Sequence, residues 1–419
     1  MSAENLDLLA QSAEEALAPL FREIDRTAEK NTARVMEAFC RHKVSAAHFA
    51  PTDGYGYDDA GREVLEKVWA DVFGCEAALV RPSILCGTHA LTIGLFGLLR
   101  PGQTLLSVTG RPYDTLGDVI GLSGEPGCGS LRDFGVAYDE VPLRDGAPDM
   151  PAILDKLKEL GDRVGVIFIQ RSKGYLDRVS LTADEIGEMI LRIRTVNEKA
   201  FVMVDNCYGE FVCDKEPSAV GADLTVGSLI KNPGGGMAET GGYLCGTKRA
   251  VELCAYRYAA PGLGGEVGAS LGQNKPMIKG LFYAPHTVAQ ALKTAHLAAA
   301  LFSRMGFRTN PAWDERRADI IQAVHCGTPE RLIAFIRGIQ HGSAIDAYLT
   351  CEPWDMPGYN DPVIMAAGAF TMGSSIELSA DGPVRPPYIA YLQGGVTYES
   401  GKYAILSAAR EVQNAISKS

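Results

Sequence analysis

A lysine followed by a run of glycines is the first feature of this sequence that could do chemistry. Lys231 lies three residues after Ser228 and is followed by Asn232, Pro233 and the glycines 234–236. A lysine amine becomes nucleophilic through desolvation and neighbouring charge, and it forms imines with carbonyl compounds. The glycines would let the backbone approach a ligand closely. A solvated loop charge would give the same pattern, so other residues must distinguish the two interpretations.

A carboxylate stands at the end of a neighbouring apolar segment. Asp205 follows the run FVMV and precedes Lys231 by 26 positions. Ligands of open α/β sheets bind outside the carboxyl ends of the strands, so we expect both residues in one crevice. A buried carboxylate is costly unless a cation or a donor meets it. A structural ion pair would explain Asp205 alone, but the two residues together favour a functional site.

Two further segments could complete a cofactor site. At Gly87 and Thr88 a loop runs into a helix, where backbone N–H groups and the helix dipole can receive a phosphate, although Thr88 could be only an N-cap. Tyr113 follows the predicted strand 103–108 and could stack on a planar ligand or simply pack in its loop. An imine-forming lysine, a carboxylate, a stacking ring and a phosphate cup are together what pyridoxal 5′-phosphate requires.

Other catalytic motifs fit less well. The segment 268–272 matches G-x-S-x-G around Ser270, but it lies in a glycine-rich loop, whereas a nucleophile elbow follows a hydrophobic strand. In the segment 262–268, Val267 stands where a dinucleotide-binding motif has its last glycine. The sequence has no H-E-x-x-H motif and no Cys/His spacing typical of a metal site. We therefore predict neither a serine hydrolase nor a metal centre.

The elements that position these residues follow from hydrophobic periodicity. Short β-rich runs alternate with helical segments, which predicts a doubly wound, mainly parallel α/β sheet. The predicted strands are 103–108, 135–141, 164–170, 200–205, 223–228 and 241–246, and the predicted helices lie near 62–73, 88–99, 151–161 and 183–198. A glycine- and proline-rich stretch at 260–276 interrupts this pattern, and a long helical segment at 287–305 follows.

This pattern predicts three parts of the chain. We expect an N-terminal helical arm at 1–50, a large cofactor-binding α/β domain at 51–275, and a smaller α+β C-terminal domain at 276–419. A chain of 419 residues exceeds the size at which a single core keeps growing, which agrees with more than one domain.

Composition limits the partners and the compartment. A net charge of -11 argues against a nucleic-acid or anionic membrane surface, and no apolar run approaches the roughly 20 residues of a membrane span. The acidic N-terminal helix lacks the features of a signal peptide. Ten cysteines are scattered without a C-x-x-C pair, which is typical of thiols in a reducing compartment. We expect a cytoplasmic protein that acts on a small molecule.

Several segments occur in an order that resembles a known family. They include GYGYDDAGREV, RPYDTLGDVIG, QRSKGYLDRVSLT, VDNCYGEFV, GSLIKNPGGGMAETGGYLCG and SSIELSADGPVRPPYIAYLQGGVTYE. Together they resemble the methionine gamma-lyase family proteins that are also labelled aluminium resistance proteins. These proteins are similar to the cystathionine and methionine gamma-lyase group of fold type I pyridoxal-phosphate enzymes. The resemblance runs from about residue 15 to the C-terminus.

The resemblance implies a role for each residue of the cofactor site. Lys231 would bind pyridoxal phosphate covalently, and Asp205 would hold its pyridine nitrogen. Gly87, Thr88 and Ser228 would bind the phosphate. These implied roles agree with the chemistry expected from the residue types themselves.

The resemblance also implies a second subunit. Tyr113 would stack on the cofactor and act as an acid or base at the leaving sulfur, while Tyr57 would reach the phosphate of a neighbouring subunit. A homodimer or homotetramer would follow. The gamma-lyase group usually has an arginine two positions beyond this second tyrosine, whereas Asp59 stands there in this chain, with Arg62 as a substitute nearby.

The sequence defines less clearly which residue contacts the cofactor after the strand 164–170 and which residue binds the substrate carboxylate. The group carries an asparagine after the strand that corresponds to 164–170, whereas this chain offers Arg171, Ser172 or Lys173. A substrate carboxylate needs a bidentate donor, for which we expect Arg385 in GPVRPPY, although a surface arginine fits the same sequence.

The residues and the resemblance together predict a carbon–sulfur lyase that depends on pyridoxal phosphate. It would act on a sulfur-containing amino acid such as cystathionine, methionine or cysteine by β- or γ-elimination. An aldolase or transaminase is the nearest alternative, because fold and cofactor do not fix which bond breaks. A non-catalytic metal-tolerance protein is a further alternative, but the sequence shows no carboxylate cluster suited to a hard trivalent ion.

Overall fold

Two β-sheets flanked by helices are the main features of the computed structural model, which describes residues 3–356, 359 and 361–418. The helices are α1 (Ala3–Arg41), α2 (Ala60–Phe73), α3 (Gly87–Leu98), α4 (Leu116–Ile120), α5 (Met150–Leu160), α6 (Ala183–Arg194), α7 (Lys248–Tyr258), α8 (Asn274–Arg304), α9 (Pro329–His341) and α10 (Tyr398–Lys418). The strands are β1 (Ala77–Arg81), β2 (Thr104–Ser107), β3 (Ala137–Glu140), β4 (Val164–Gln170), β5 (Phe201–Asp205), β6 (Leu224–Ser228), β7 (Gly242–Gly246), β8 (Thr309–Asn310), β9 (Gln322–His325), β10 (Val363–Ala366), β11 (Leu378–Pro383) and β12 (Ile389–Gly394).

The larger sheet is mainly parallel and is covered on both faces. Its strand order is β1-β7-β6-β5-β4-β2-β3. Strand β7 runs in the direction opposite to the six other strands. Along β4, Val166 and Phe168 pack in an apolar cluster with α3 and α7, whereas Ile167 and Ile169 pack with α5 and α6. Burial of both faces explains why this strand reads as a continuous apolar run. The predicted doubly wound sheet is confirmed.

Two elements depart most from the predictions. The edge strand β1, which pairs with a single neighbour, β7, was not predicted. Helix α8 begins 13 residues before the predicted start at 287. Pro276 lies in its first turn, where a missing N–H breaks no helical hydrogen bond, so the proline does not end the helix.

The second sheet is antiparallel and lies in the C-terminal part of the chain. Its order is β10-β11-β12-β9-β8, and it shares an apolar cluster with α9, α10 and the C-terminal half of α8. Leu6 and Leu17 of α1 also belong to this cluster, whereas Val35 of α1 packs with α2 and β7 in another. Helix α1 therefore contacts both parts of the molecule. The boundaries at 50 and 275 stay predictions.

Within the described residues, no helix combines the length and apolar character needed to cross a membrane.

Candidate functional site

The carboxyl ends of three neighbouring strands bring polar residues together. Gln170 at the end of β4 pairs in register with Asp205 at the end of β5, and Asp205 pairs with Val226 on β6. Ser228 ends β6, and Lys231 follows three residues later. The sheet register thus carries the lysine and the carboxylate to the same edge, as expected from the position of ligand sites in such sheets.

A cavity of about 240 Å³ opens at this edge, between the two sheets. Five of the predicted residues lie in its wall: Gly87, Thr88, Tyr113, Asp205 and Lys231. Its wall also contains residues that the sequence did not single out, among them Thr115, Gln170, Cys207, Tyr208, Tyr359, Ser375, Asp381 and Gln393. One concave site therefore contains an amine, two carboxylates, several hydroxyl groups and a helix N-terminus.

The glycine run holds the lysine loop against helix α8. A Cβ atom at Gly234 would overlap the carbonyl oxygen of Leu229, and one at Gly235 would lie 2.5 Å from the carbonyl oxygen of Gly280 in α8. Gly235 also has a φ of +57°, a conformation that favours glycine. Gly234 and Gly235 both pack against protein backbone, and the close approach of these glycines to a ligand stays a prediction. Their packing fixes the position of the loop that carries Lys231.

Burial and charge act in opposite directions on the two central residues. Desolvation raises the pKa of Asp205, while Lys231 and the backbone N–H of Cys207, 3.1 Å from Oδ1 of Asp205, counteract this shift. Burial lowers the pKa of Lys231, but the surrounding acidic groups, of which Cys207 and Tyr208 contribute most, outweigh it and leave this pKa raised. The Lys231 amine also lies 4.1 Å from the centre of the Tyr208 ring. These surroundings therefore favour the protonated form of the free Lys231 amine.

The N-terminus of α3 lies beside the lysine in the cavity wall and offers backbone donors. The N–H groups of Gly87 and Thr88 lie in the first turn, where the helix offers no carbonyl partner. A Cβ atom at Gly87 would lie 3.4 Å from Cys207 Sγ and 3.9 Å from Lys231 Nζ, so glycine keeps this space open. Ser228 Oγ is buried and lacks a hydrogen-bond partner among the described residues. A phosphate would supply one, and the donor set fits pyridoxal phosphate.

Tyr113 connects the larger sheet to the segment before β10. Its backbone N–H donates to Gln170 Oε1 at 2.7 Å, and its hydroxyl lies 2.6 Å from the hydroxyl of Tyr359. Burial, and then the proximity of Tyr359, raises the pKa of Tyr113. The phenol therefore keeps its proton at neutral pH and can donate it to a neighbouring group.

Besides Ser228, two predicted site residues lie outside the wall of this cavity. Tyr57 is 55% exposed and packs against Tyr55 in the loop before α2, with 5.6 Å between ring centres. Arg385 follows β11, and its Nη1 atom lies 2.6 Å from Asp361 Oδ2. The roles of Tyr57 at a neighbouring subunit and of Arg385 at a substrate carboxylate remain predictions.

The substitution of Asp59 for an arginine has a structural explanation. Asp59 is the N-cap of α2, and its Oδ1 atom accepts the backbone N–H of Arg62 at 2.8 Å. The Arg62 guanidinium is buried and donates to the carbonyl oxygens of Gly56 and Gly268 at 2.6 and 2.9 Å. Since these contacts occupy Arg62 within its own loop, it is not a substitute for a phosphate-binding arginine in this subunit.

The side chains after β4 also have defined places. Arg171 donates to the buried pair of Asn206 and Glu216, and Lys173 donates to Asn310. Both cations are therefore engaged away from the cavity. Gln170 and Ser172 instead lie in a smaller cavity of about 50 Å³ that shares Lys231 and Asp205 with the main one. None of residues 171–173 lies in the wall of the main cavity, and the last residue of the strand, Gln170, provides the polar side chain of this segment there.

The second sheet contributes a carboxylate that the sequence did not reveal. Asp381 on β11 is 9% exposed, its Oδ1 atom is buried without a hydrogen-bond partner among the described residues, and burial raises its pKa to about 7. Leu378 and Ala380 on the same strand pack into the apolar cluster, so alternation turns Asp381 to the cavity. Polar residues alternating with apolar ones in SSIELSADGP were the signal that could have found it.

Comparison with known proteins adds information on the whole chain. A family model described as methionine gamma-lyase matches residues 6–413. The uncharacterized protein YnbB of Bacillus subtilis is 52% identical, over 97% of this chain and 96% of the relative. A crystal structure of a carbon-sulfur lyase involved in aluminum resistance from Clostridium novyi has 47% identity and a TM-score of 0.93, covering 97% of this chain and 95% of that chain.

A more distant structure bears on the fold alone. The pyridoxal-5′-phosphate dependent protein YhfS from Escherichia coli has 17% identity and a TM-score of 0.63, covering 94% of this chain and 97% of that chain. This likeness, with the mainly parallel sheet and the second antiparallel sheet, confirms the predicted fold type I architecture.

Replacement of Gly235 should test whether packing against α8 holds the lysine loop. Gly235→Ala should lower the free energy of unfolding by about 2–4 kcal/mol, because the Cβ atom adds overlap with Gly280 to the strain of a positive φ. Gly272→Ala is the matched control, since Gly272 has a φ of +83° but open space around its Cβ position, and it should lose only about 1 kcal/mol. Urea denaturation measures both losses, and equal losses would show that overlap with α8 is unimportant.

The buried carboxyl of Asp381 should make stability depend on pH. In the folded protein it holds its proton up to about pH 7, whereas in the unfolded chain it ionises near pH 4. The wild-type protein without cofactor therefore loses stability from this group as the pH rises through that window. Asp381→Asn should be more stable than wild type by on the order of 2 kcal/mol at pH 8, with a smaller difference at pH 5. A difference independent of pH, measured by denaturation, would contradict the buried, protonated carboxyl.

Proposed function

Because the chain belongs to the methionine gamma-lyase family, we propose that the cavity at the edge of the larger sheet is the active site of a pyridoxal-phosphate-dependent carbon–sulfur lyase. The observation that carries this proposal is the presence of Lys231 and Asp205 in the wall of one cavity, beside the N-terminus of α3. The reaction would convert a sulfur-containing amino acid and water into a thiol, a 2-oxo acid and ammonia.

The two central residues have distinct tasks in this proposal. Pyridoxal phosphate, when bound, supplies an electron sink that stabilises negative charge at the α-carbon of the substrate. Asp205 would hold the pyridine nitrogen protonated, which its buried position beside a cation supports. The Lys231 amine would bind the cofactor and, once free, would move the proton of the substrate α-carbon.

Polar groups around this pair would orient the ligands. The N–H groups of Gly87 and Thr88 and the Ser228 hydroxyl would hold the phosphate, which satisfies the unpaired Oγ of Ser228. Tyr113 would donate a proton to the leaving sulfur, since burial keeps its phenol protonated and Tyr359 fixes its hydroxyl at 2.6 Å. A protonated thiol is a far better leaving group than a thiolate, so this transfer favours cleavage of the carbon–sulfur bond.

The substrate would be a sulfur-containing amino acid, which the enzyme would cleave by β- or γ-elimination. The related protein of Clostridium novyi is called a carbon-sulfur lyase, which supports this choice over an aldolase or a transaminase. Arg385 remains our candidate for the substrate carboxylate, and it would have to exchange its contact with Asp361 for the ligand. No group of three or more metal-binding side chains occurs within 3–356, 359 and 361–418 that would favour a metal-tolerance role.

We further propose that the protein acts as a homodimer or homotetramer in the cytoplasm. The exposed ring of Tyr57 is available to a neighbouring subunit, and a phosphate contact there would complete the partner's site. All ten cysteines are free thiols, which suits a reducing compartment.

Lys231→Ala should separate a lyase from a protein without this chemistry. Purified wild-type protein with pyridoxal phosphate should show a visible absorption band and release thiol and 2-oxo acid from cystathionine, methionine or cysteine. Lys231→Ala should change the band and lower kcat by roughly 10²–10⁴-fold, because the amine that moves the proton is lost. Lys248→Ala, at the exposed start of α7, should retain both properties. An unchanged spectrum in Lys231→Ala would refute the proposed site.

Mixed subunits should test the role of Tyr57. We expect Tyr57→Ala to lose activity by about tenfold or more, as loss of a phosphate contact implies. A coexpressed mixture of Tyr57→Ala and Lys231→Ala subunits should regain about a quarter of wild-type activity, because half of random dimers carry one intact site of two. Activity assays on the unfractionated mixture measure this recovery, and mixed dimers isolated through two different tags should show about half of wild-type activity. A mixture as inactive as its parents, or a monomer in light scattering, would exclude the shared site.

A further inference from the structure

The wall that the second sheet adds to the cavity contains an unusual carboxylate. Asp381 is nine-tenths buried, and its Oδ1 atom has no hydrogen-bond partner among the described residues. Tyr175 and Gln393 lie close enough to lower the pKa of this carboxyl as hydrogen-bonding neighbours, but burial outweighs both. The proposed lyase chemistry at Lys231 and Asp205 gives Asp381 no task.

The cavity offers Asp381 no strong cationic partner of its own. Among the described residues of the wall, Lys231 is the only lysine or arginine, and it is the weakest of the influences on the Asp381 carboxyl. Lys231 already faces Asp205 and the Tyr208 ring. Arg385, four positions beyond Asp381, pairs with Asp361 instead. A buried carboxylate without a cation is costly, and a cation brought by a ligand would remove that cost.

Aromatic rings surround this carboxylate and make its surroundings suitable for a cation. The ring of Tyr175 lies 5.5 Å from that of Tyr113, 5.8 Å from that of Tyr359 and 5.1 Å from that of Tyr391. Asp381 raises the pKa of all four of these tyrosines electrostatically, so it lies close to the group. Aromatic faces attract ammonium groups, and a carboxylate among them would add an ion pair and a directional hydrogen bond to that attraction.

From these contacts we infer that Asp381 is a recognition site for a second ammonium group, at the end of the substrate distant from the reacting carbon. The inference rests on the proposed function, in which the α-amino group of the substrate is engaged at the cofactor and is not free to pair with Asp381. The substrate class is then narrower than sulfur-containing amino acids in general. It consists of thioether amino acids whose sulfur substituent carries an amine.

Two isosteric substrates test this inference. S-(2-aminoethyl)-L-cysteine and S-propyl-L-cysteine differ only in a terminal ammonium against a methyl group, and both release a thiol, pyruvate and ammonia on β-elimination with water. The wild-type holoenzyme should have a kcat/KM at least about tenfold higher for the aminoethyl compound. Asp381→Asn should lower kcat/KM for that compound by roughly 10–100-fold and leave the propyl compound within about twofold.

A matched variant controls for the loss of a charge alone. Asp162→Asn makes the same chemical change at an exposed ion pair with Lys199, far from the cavity wall, and should leave both substrates unaffected. The visible cofactor band should persist in Asp381→Asn, since the substitution keeps the shape of the side chain. If wild type favours the propyl compound, or if Asp381→Asn lowers both rates equally, the inference is wrong.

A binding measurement separates this inference from the lyase proposal. If the coloured wild-type enzyme releases thiol from neither compound, the proposed lyase function fails, and calorimetry with L-lysine and L-2-aminoheptanoic acid decides about Asp381. These two ligands have the same length and differ only in a terminal ammonium against a methyl group. Tighter binding of lysine in wild type, lost in Asp381→Asn, supports an ammonium site, whereas equal binding of both ligands to wild type overturns it.

Discussion

The site depends on one constraint, which is that a lysine amine and a carboxylate must be held side by side in a buried cavity. Desolvation opposes both charges, and each charge compensates for the other. The register of β5 on β6 sets the positions from which Asp205 and Lys231 project. The glycines after Lys231 then press its loop against α8, so that the amine has little freedom to move away. The arrangement is thus imposed by backbone packing and does not rely on the attraction between the two side chains.

Helix α8 links this constraint to the second sheet. Its N-terminal half provides Gly280, against which the lysine loop packs, and its C-terminal half provides Phe302 to the apolar cluster under the second sheet. The strands β11 and β12 turn Ala380 and Leu392 into that cluster and turn Asp381 and Gln393 toward the cavity. The two walls of the site are therefore both packed against one helix. A change in the packing of α8 would alter the width of the cavity as well as the position of the amine.

Sequence reasoning found one wall of the site and largely missed the other. Lys231 and Asp205 were predictable because a polar residue at the end of an apolar strand has few structural explanations, and a general rule places such residues together. Gln170 obeys the same rule, but residue type alone does not distinguish it from the three polar residues that follow it. Alternation in SSIELSADGP places Asp381 on one face of a strand, but the approach of Asp381 and Tyr359 to the wall that contains Tyr113 depends on tertiary packing. The packing of Gly235 was not predictable for a similar reason, since its contact in α8 is distant in sequence.

Several energetically unfavourable backbone conformations and buried polar groups lie around this cavity. Their position indicates which kind of ligand would stabilise them. Tyr208 has a φ of +73° with its ring beneath the Lys231 amine, and burial raises the pKa of Glu210 to about 8 behind it. Ser228 and Asp381 contribute polar atoms that have no hydrogen-bond partner among the described residues. Each feature costs free energy without a ligand, and the large apolar clusters of the two sheets offset this cost. A ligand that satisfies the hydroxyl and the carboxylate recovers part of that cost, so ligand binding and folding stability are coupled through the same atoms. Preorganised groups of this kind favour a ligand that brings an anion to one end of the cavity and a cation to the other.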